Sequence, residues 1–187
     1  PETEGSYEID GMPSGIWIEN NIAYVNVNYY DYQKKEYTGF SELLIIDIED
    51  KKEPGFLNSC IIPADAWGIY LLEDRVFVSS CEWDDESEKY TSSIIQVVDV
   101  VDLLNPEPAG SCSIPGGAWE MDSAGGFIYI SSLSGGIYAV DVSDSNNPVI
   151  VDNLKTFGTS CDITIRGNYG YIADGNEGMS IMLLSDG

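Results

Sequence analysis

Apolar and polar residues alternate along most of the chain in short runs, and turns rich in Gly, Asn and Asp separate the runs. The stretch Ile163-Thr-Ile-Arg-Gly-Asn-Tyr-Gly-Tyr171-Ile-Ala-Asp-Gly175, followed by Asn176-Glu-Gly-Met-Ser-Ile-Met-Leu-Leu184, shows the pattern in its simplest form. It predicts a strand, a Gly-Asn turn, a second strand, a tight Asp-Gly loop and a third strand. Period-two alternation puts one set of side chains on a buried sheet face, and the turn residues allow the reversals.

The unit recurs three times upstream. Anchored on the aromatic of the second strand, the copies fall at Tyr24, Phe77, Tyr129 and Tyr171. An apolar residue precedes each anchor by eight positions (Ile16, Ile69, Met121, Ile163), and Val25, Val78, Ile130 and Ile172 follow directly. Third strands read Leu43-Leu-Ile-Ile-Asp47, Ile95-Gln-Val-Val-Asp99, Ile137-Tyr-Ala-Val-Asp141 and Ser180-Ile-Met-Leu-Leu184. Fourth strands run through Cys60 to Pro63 and through Cys112 to Pro115. Spacings of about 40 to 50 residues with four strands per unit predict propeller blades. A lone sheet of this kind has two apolar faces, so each unit needs neighbours. The expectation is an all-β, single-domain β-propeller over residues 1–187, with four blades of four antiparallel strands at about 12–63, 64–115, 116–157 and 158–187.

The third-strand segments, together with Gly167-Asn-Tyr-Gly-Tyr171-Ile-Ala-Asp-Gly175 and Asp141-Val-Ser-Asp-Ser-Asn-Asn-Pro148, resemble the LVIVD-repeat family. The resemblance implies a β-propeller of the kind predicted for bacterial and archaeal surface and secreted proteins. It spans nearly the whole chain, departing where Leu183 replaces the repeat's Asp and where the first two copies carry enlarged loops. The family brings no agreed activity and no catalytic residues.

Residues 1–11 hold no complete unit, but Tyr7 stands before Tyr24 at the same distance as Cys60 before Phe77. Ser6-Tyr-Glu-Ile-Asp10 therefore aligns with a fourth strand, which the last copy lacks. The expectation is that it completes the last blade within the chain. The alternative is pairing with the last blade of another molecule, a β-strand addition that builds polymers when it does not close.

The first two copies carry long connections between second and third strands, with Tyr29, Tyr30, Tyr32 and Tyr37 in one and Trp83 and Tyr90 in the other. Both are expected to emerge as loops on one face. Exposed aromatics of this kind mark binding surfaces for proteins or sugar rings, although local packing over the blade edges uses the same residues. Trp67 and Trp119 begin inner strands, where they either stack on a ligand or plug the central channel.

Composition narrows the function. With 43% hydrophobic and 11% aromatic residues the chain is globular. It has no apolar run long enough for a transmembrane helix, so no membrane insertion is expected, and an exported chain would have lost its leader before Pro1. Against 32 acidic residues stand 8 basic ones, a net charge of −24. Nucleic acid is disfavoured as a partner, because phosphate contacts need Lys and Arg. The charge suits a solubilising extracellular surface, or carboxylates that bind Ca²⁺. Calcium is the one cofactor candidate, at Asp84, Asp85, Glu86 and Glu88 or at Asp174 and Asn176; neither cluster has EF-hand spacing.

Cys60, Cys81, Cys112 and Cys161 include no close pair, which excludes zinc-finger spacings. An even count toward one face makes all four disulfide candidates in an oxidising compartment; otherwise they are buried thiols serving as small apolar residues. With no His, there is no Ser-His-Asp triad or Cys-His pair. There is also no phosphate-binding glycine loop. Asp47, Asp99 and Asp141 are expected to cap turns. The chain reads as a non-enzymatic, secreted or cell-surface module that binds protein or glycan. The alternative is a structural subunit assembling with itself into a fibre or layer, and a glycan-active enzyme with two carboxylates ranks third.

Overall fold

A computed structural model describes residues 2–34, 36–84, 89–133 and 135–184, without the side chains of 82–84 and 89–91. The first antiparallel sheet holds β1 (Met12–Glu19), β2 (Ile22–Asp31), β3 (Glu36–Asp47) and β4 (Gly55–Pro63), in that order. The second holds β5 (Asp65–Leu72), β6 (Arg75–Asp84), β7 (Lys89–Asp99) and β8 (Glu107–Pro115). The third holds β9 (Ala118–Ala124), β10 (Phe127–Ser132), β11 (Gly136–Asp141) and β12 (Val149–Leu154). The fourth has three strands, β13 (Asp162–Arg166), β14 (Tyr169–Ala173) and β15 (Met179–Leu183), with a 3₁₀ turn at Gly175–Glu177.

Local chemistry explains the regularity. The first turn of each sheet demands a left-handed backbone, and Asn20 and Asn21 (φ 51° and 62°), Glu73 (φ 54°), Gly125 and Gly126 (φ 60° and 84°) and Gly167 (φ 59°) provide it. At the end of the third strand, the carboxylates of Asp47, Asp99 and Asp141 accept the amides of Glu49, Val101 and Ser143 at 2.8–2.9 Å. Three residues on, Asp50, Asp102 and Asp144 accept the amides of Lys52, Leu104 and Asn146. The aspartates are turn caps, as expected. The fourth sheet has Leu183 at that place but keeps the backbone bond: Leu184 N–H donates to Asn168 O, as Ile48 does to Asn21, Val100 to Asp74 and Val142 to Gly126.

Successive sheets stack face to face. One core joins Tyr24, Leu43, Ile45 and Ile62 of the first sheet to Ile69, Leu71, Val76 and Val78 of the second. The next joins Phe77, Ile95, Val97 and Ile114 to Met121, Ile128, Ile130 and Tyr138. The third joins Ile137 and Tyr129 to Ile163, Ile172 and Met182. The anchor aromatic thus faces forward from each sheet, and the residues on either side of it face back. The innermost strands β1, β5, β9 and β13 pack in series.

Polar side chains stitch this seam. Asn28 bridges to β5, its Nδ2 donating to Ala66 O and its Oδ1 accepting Ala66 N–H, both at 2.8 Å. Ser79 likewise accepts Gly68 N–H and donates to Trp119 O. Asp122 of β9 receives Tyr70 O–H from the second sheet and Ile165 N–H from the fourth, at 3.1 and 2.6 Å.

Three expectations change. Among the described residues, 2–11 form no strand and the fourth sheet gains no fourth strand from them. The segment instead lies on the back of the first sheet, with Ile9 against the core of Ala23, Val25, Val27, Leu44 and Ile46, and Gly5 close to Lys51 and Lys52. The long connections of the first two copies are not loops: β2 and β3 pair as far as Asp31 with Glu36, and β6 and β7 as far as Asp84 with Lys89. All four cysteines are free thiols, so the disulfide expectation fails. Cys60 and Cys112 occupy fourth strands of successive sheets, and packed sheets stand about 10 Å apart, beyond the Cα separation of about 4.4–6.8 Å that a disulfide needs. Burial pushes the Cys60, Cys81 and Cys112 thiols up. Cys81 serves as a donor to Ala118 O.

Candidate functional site

The ladder of β2 and β3 carries Tyr30 opposite Tyr37 at the tip of the first hairpin. Their rings meet edge to face at 5.3 Å, and Tyr32 joins Tyr30 at 5.1 Å. Tyr37 then reaches Trp67 of β5 at 6.2 Å, edge on. Trp67 lies parallel to Trp119 of β9, with 6.1 Å between centroids and 4° between planes. Five of the eight aromatics singled out in the sequence therefore form one continuous array across three sheets. Such offset and edge contacts are the favoured geometries of aromatic quadrupoles.

Tyr29 does not join them. Alternation along β2 turns it to the opposite face, where it packs on Phe40 at 5.3 Å and donates to Glu42 at 3.2 Å. Trp83 pairs with Tyr90 across the β6–β7 ladder, and both side chains lie outside the described residues.

Polar groups missed in the sequence surround the two tryptophans. Trp119 Nε1–H and one oxygen of Asp65 are buried without a protein partner. Burial pushes the Asp65 carboxyl up, opposed by a backbone hydrogen bond at Gly39. Beside Trp119, Glu120 is open to solvent on one side but enclosed by protein on others; this partial burial, then the like charge of Asp162, push its carboxyl up. No local motif marks these acids, because strands distant in sequence create their surroundings. The array thus offers flat apolar rings, with the Trp119 N–H buried beneath them.

For the calcium candidates, Asp85, Glu86 and Glu88 lie outside the described residues, as does the side chain of Asp84. Asp174 is buried, and its two oxygens accept Ser160 O–H and Ser180 O–H at 3.4 and 2.9 Å. Burial acts to raise its pKa, but hydrogen bonds from Thr156, Ser180 and the Gly158 and Phe157 amides outweigh it and hold the carboxyl below its ordinary value. Asn176 is exposed in the 3₁₀ turn. Among the described residues, no three His, Cys, Asp or Glu side chains gather in a metal-binding cluster. Among the described residues, no helix is long and apolar enough to cross a membrane.

Four stacked antiparallel sheets with repeated turns, caps and seams define a β-propeller-like repeat protein. The LVIVD repeat model matches residues 115–156 and 157–186. Among solved structures, the chain is similar to the computationally designed Ika4 protein, with a TM-score of 0.69 and 8% identity over 99% of both chains. At that identity the likeness concerns fold alone. No curated protein matches.

Proposed function

We propose that this chain is a non-catalytic binding module, secreted or displayed at a cell surface, built as a four-bladed propeller-like scaffold that presents its aromatic array to a glycan. A protein segment is the other partner that such a surface suits. The continuous contact from Tyr32 through Tyr30, Tyr37 and Trp67 to Trp119 carries the reading. Sugar rings stack their C–H faces on such rings. A net charge of −24 favours neutral or cationic ligands over anionic ones. The reading requires no cofactor.

Titration calorimetry with a panel of neutral oligosaccharides tests the reading. Binding by the wild type that falls at least tenfold in Trp67→Ala and Trp119→Ala, with unchanged circular dichroism, is the expected result. Binding that survives both substitutions, or no binding at all, removes the glycan reading. Release of reducing sugar would replace the module with an enzyme. A structural subunit is the second reading, favoured by the apolar face of the fourth sheet, where Met179, Ile181 and Leu183 are exposed.

A further inference from the structure

Two of the junctions between sheets open, at the end where the first turns lie, into clefts beside the anchor aromatic. Between the second and third sheets the cleft holds a cation of the chain's own. Arg75, two residues before the anchor Phe77, donates there to Ser145 at 3.2 Å and pairs with Asp99 at 3.1 Å. The corresponding cleft between the first and second sheets, of about 370 Å³, has no such group. Ile22 stands in the place of Arg75 and Leu103 in the place of Ser145, and among the described residues nothing basic lines the space. Its volume falls within the range of about 300–1,000 Å³ that small-molecule sites occupy.

Acids gather at this cleft instead. Glu19 ends β1 at the rim of the first sheet, and Glu73 and Asp74 form the turn between β5 and β6 on the second. Among the described residues none of the three makes an ion pair. Ile22, Leu71, Val100 and Leu103 give the cleft an apolar floor. Tyr24 adds a second polar element. It is 5% exposed, it lines the cleft, and its hydroxyl has no hydrogen-bond partner among the described residues. Burial, and then the charges of Glu19 and Asp74, push its pKa up, so the hydroxyl sits in the field of both rims. Buried tyrosine hydroxyls usually find a partner. Phe77, in the same place on the next sheet, shows that packing there does not require the oxygen.

We propose that this cleft binds an aliphatic diamine. One ammonium pairs with Glu19 and the other with Glu73 and Asp74, the Tyr24 oxygen accepts an ammonium N–H, and the methylene chain lies on the apolar floor. A metal ion suits the residues less well. Among the described residues no three acidic side chains gather closely enough to hold one, whereas acids on two facing sheets match charges held apart by methylenes. The net charge of −24 draws cations to the whole surface; the cleft adds the floor and the phenol. The site is separate from the aromatic array, because β2 starts at the cleft and reaches the array only at Tyr30.

Titration calorimetry with 1,5-diaminopentane at pH 7 and constant ionic strength tests the proposal, with 1,5-pentanediol as the neutral control. The wild type is expected to bind the diamine and not the diol. Glu19→Gln combined with Asp74→Asn should weaken binding by about tenfold or more, and Tyr24→Phe by about threefold or more, with unchanged circular dichroism in each. Glu49→Gln combined with Glu53→Gln removes the same charge from exposed acids outside the cleft and should leave the affinity as it was. A wild type that does not bind the diamine, equal binding of the diol, equal weakening by the two double variants, or a Tyr24→Phe variant that binds as the wild type does would each overturn the proposal.

Discussion

Asn28 does the work of two backbone groups. Its amide reads both the carbonyl and the N–H of Ala66, thirty-eight residues away, across the first junction. It is 2% exposed, so Asn28→Ala leaves two groups of the next sheet unpaired in a dry seam. Each such group costs about 1–3 kcal/mol, and urea denaturation should show a loss of about 2–4 kcal/mol. Asp174 tests the same principle through pH. Its folded-state pKa lies below the ordinary 3.8, so its stabilisation is complete above that value and disappears as pH falls through the folded-state value. Asp174→Asn should lower the melting temperature at pH 7, and the gap to wild type should narrow below about pH 4. An equal gap at pH 7 and pH 3 would refute this. The caps at Asp47, Asp99 and Asp141 were legible in the sequence because their partners lie two residues away. The roles of Asn28, Ser79 and Asp174 were not, because their partners belong to other strands.

At the scale of elements, alternation identified the strands and the repeat, but it gave no account of where the hairpins end. The tyrosine-rich connection after Asn26 resembles a loop in composition, yet aromatic residues are also good strand formers, and pairing continues to Asp31 and Glu36. The consequence is rigidity: Tyr30 and Tyr37 face each other on a ladder instead of on a mobile loop. The N-terminal segment aligns by spacing with fourth strands, yet it forms no strand and lies on the back of the first sheet, because sequence spacing records a register and not the pairing that fills it. Its contribution is measurable. Ile9→Ala should cost about 1–2 kcal/mol, below the range of about 2–5 kcal/mol for a fully buried site, since Ile9 is only partly covered. Deleting residues 1–11 should cost more and expose the back of the first sheet, seen as increased binding of an apolar dye. Unchanged stability after the deletion would mean that the segment is not seated on that face.

For the molecule as a whole, the determining balance is between apolar faces and charge. Eight basic residues cannot neutralise thirty-two acidic ones, and among the described residues few ion pairs relieve the excess: Arg75 meets Asp99 at 3.1 Å, while Lys34 and Arg166 make looser contacts with carboxylates. A chain of net charge −24 repels itself in the compact state. Salt screens this repulsion without weakening the buried junctions. Between about 0.1 M and 1 M the Debye length falls from about 10 Å to about 3 Å, so the repulsion between strands and between copies largely vanishes. The melting temperature should therefore rise with sodium chloride over this interval, and more steeply than for variants in which several exposed acids are changed to amides. Calorimetry at four salt concentrations would measure the slope. A melting temperature that falls as salt is added would mean that the few ion pairs, and not the self-repulsion, govern stability. Protonation should act as salt does at first, easing repulsion, until the loss of the Asp102, Asp141, Asp144 and Asp174 carboxylates, held below their ordinary value by hydrogen bonds, reverses the gain. The stability maximum should consequently lie on the acid side of neutrality and flatten in high salt.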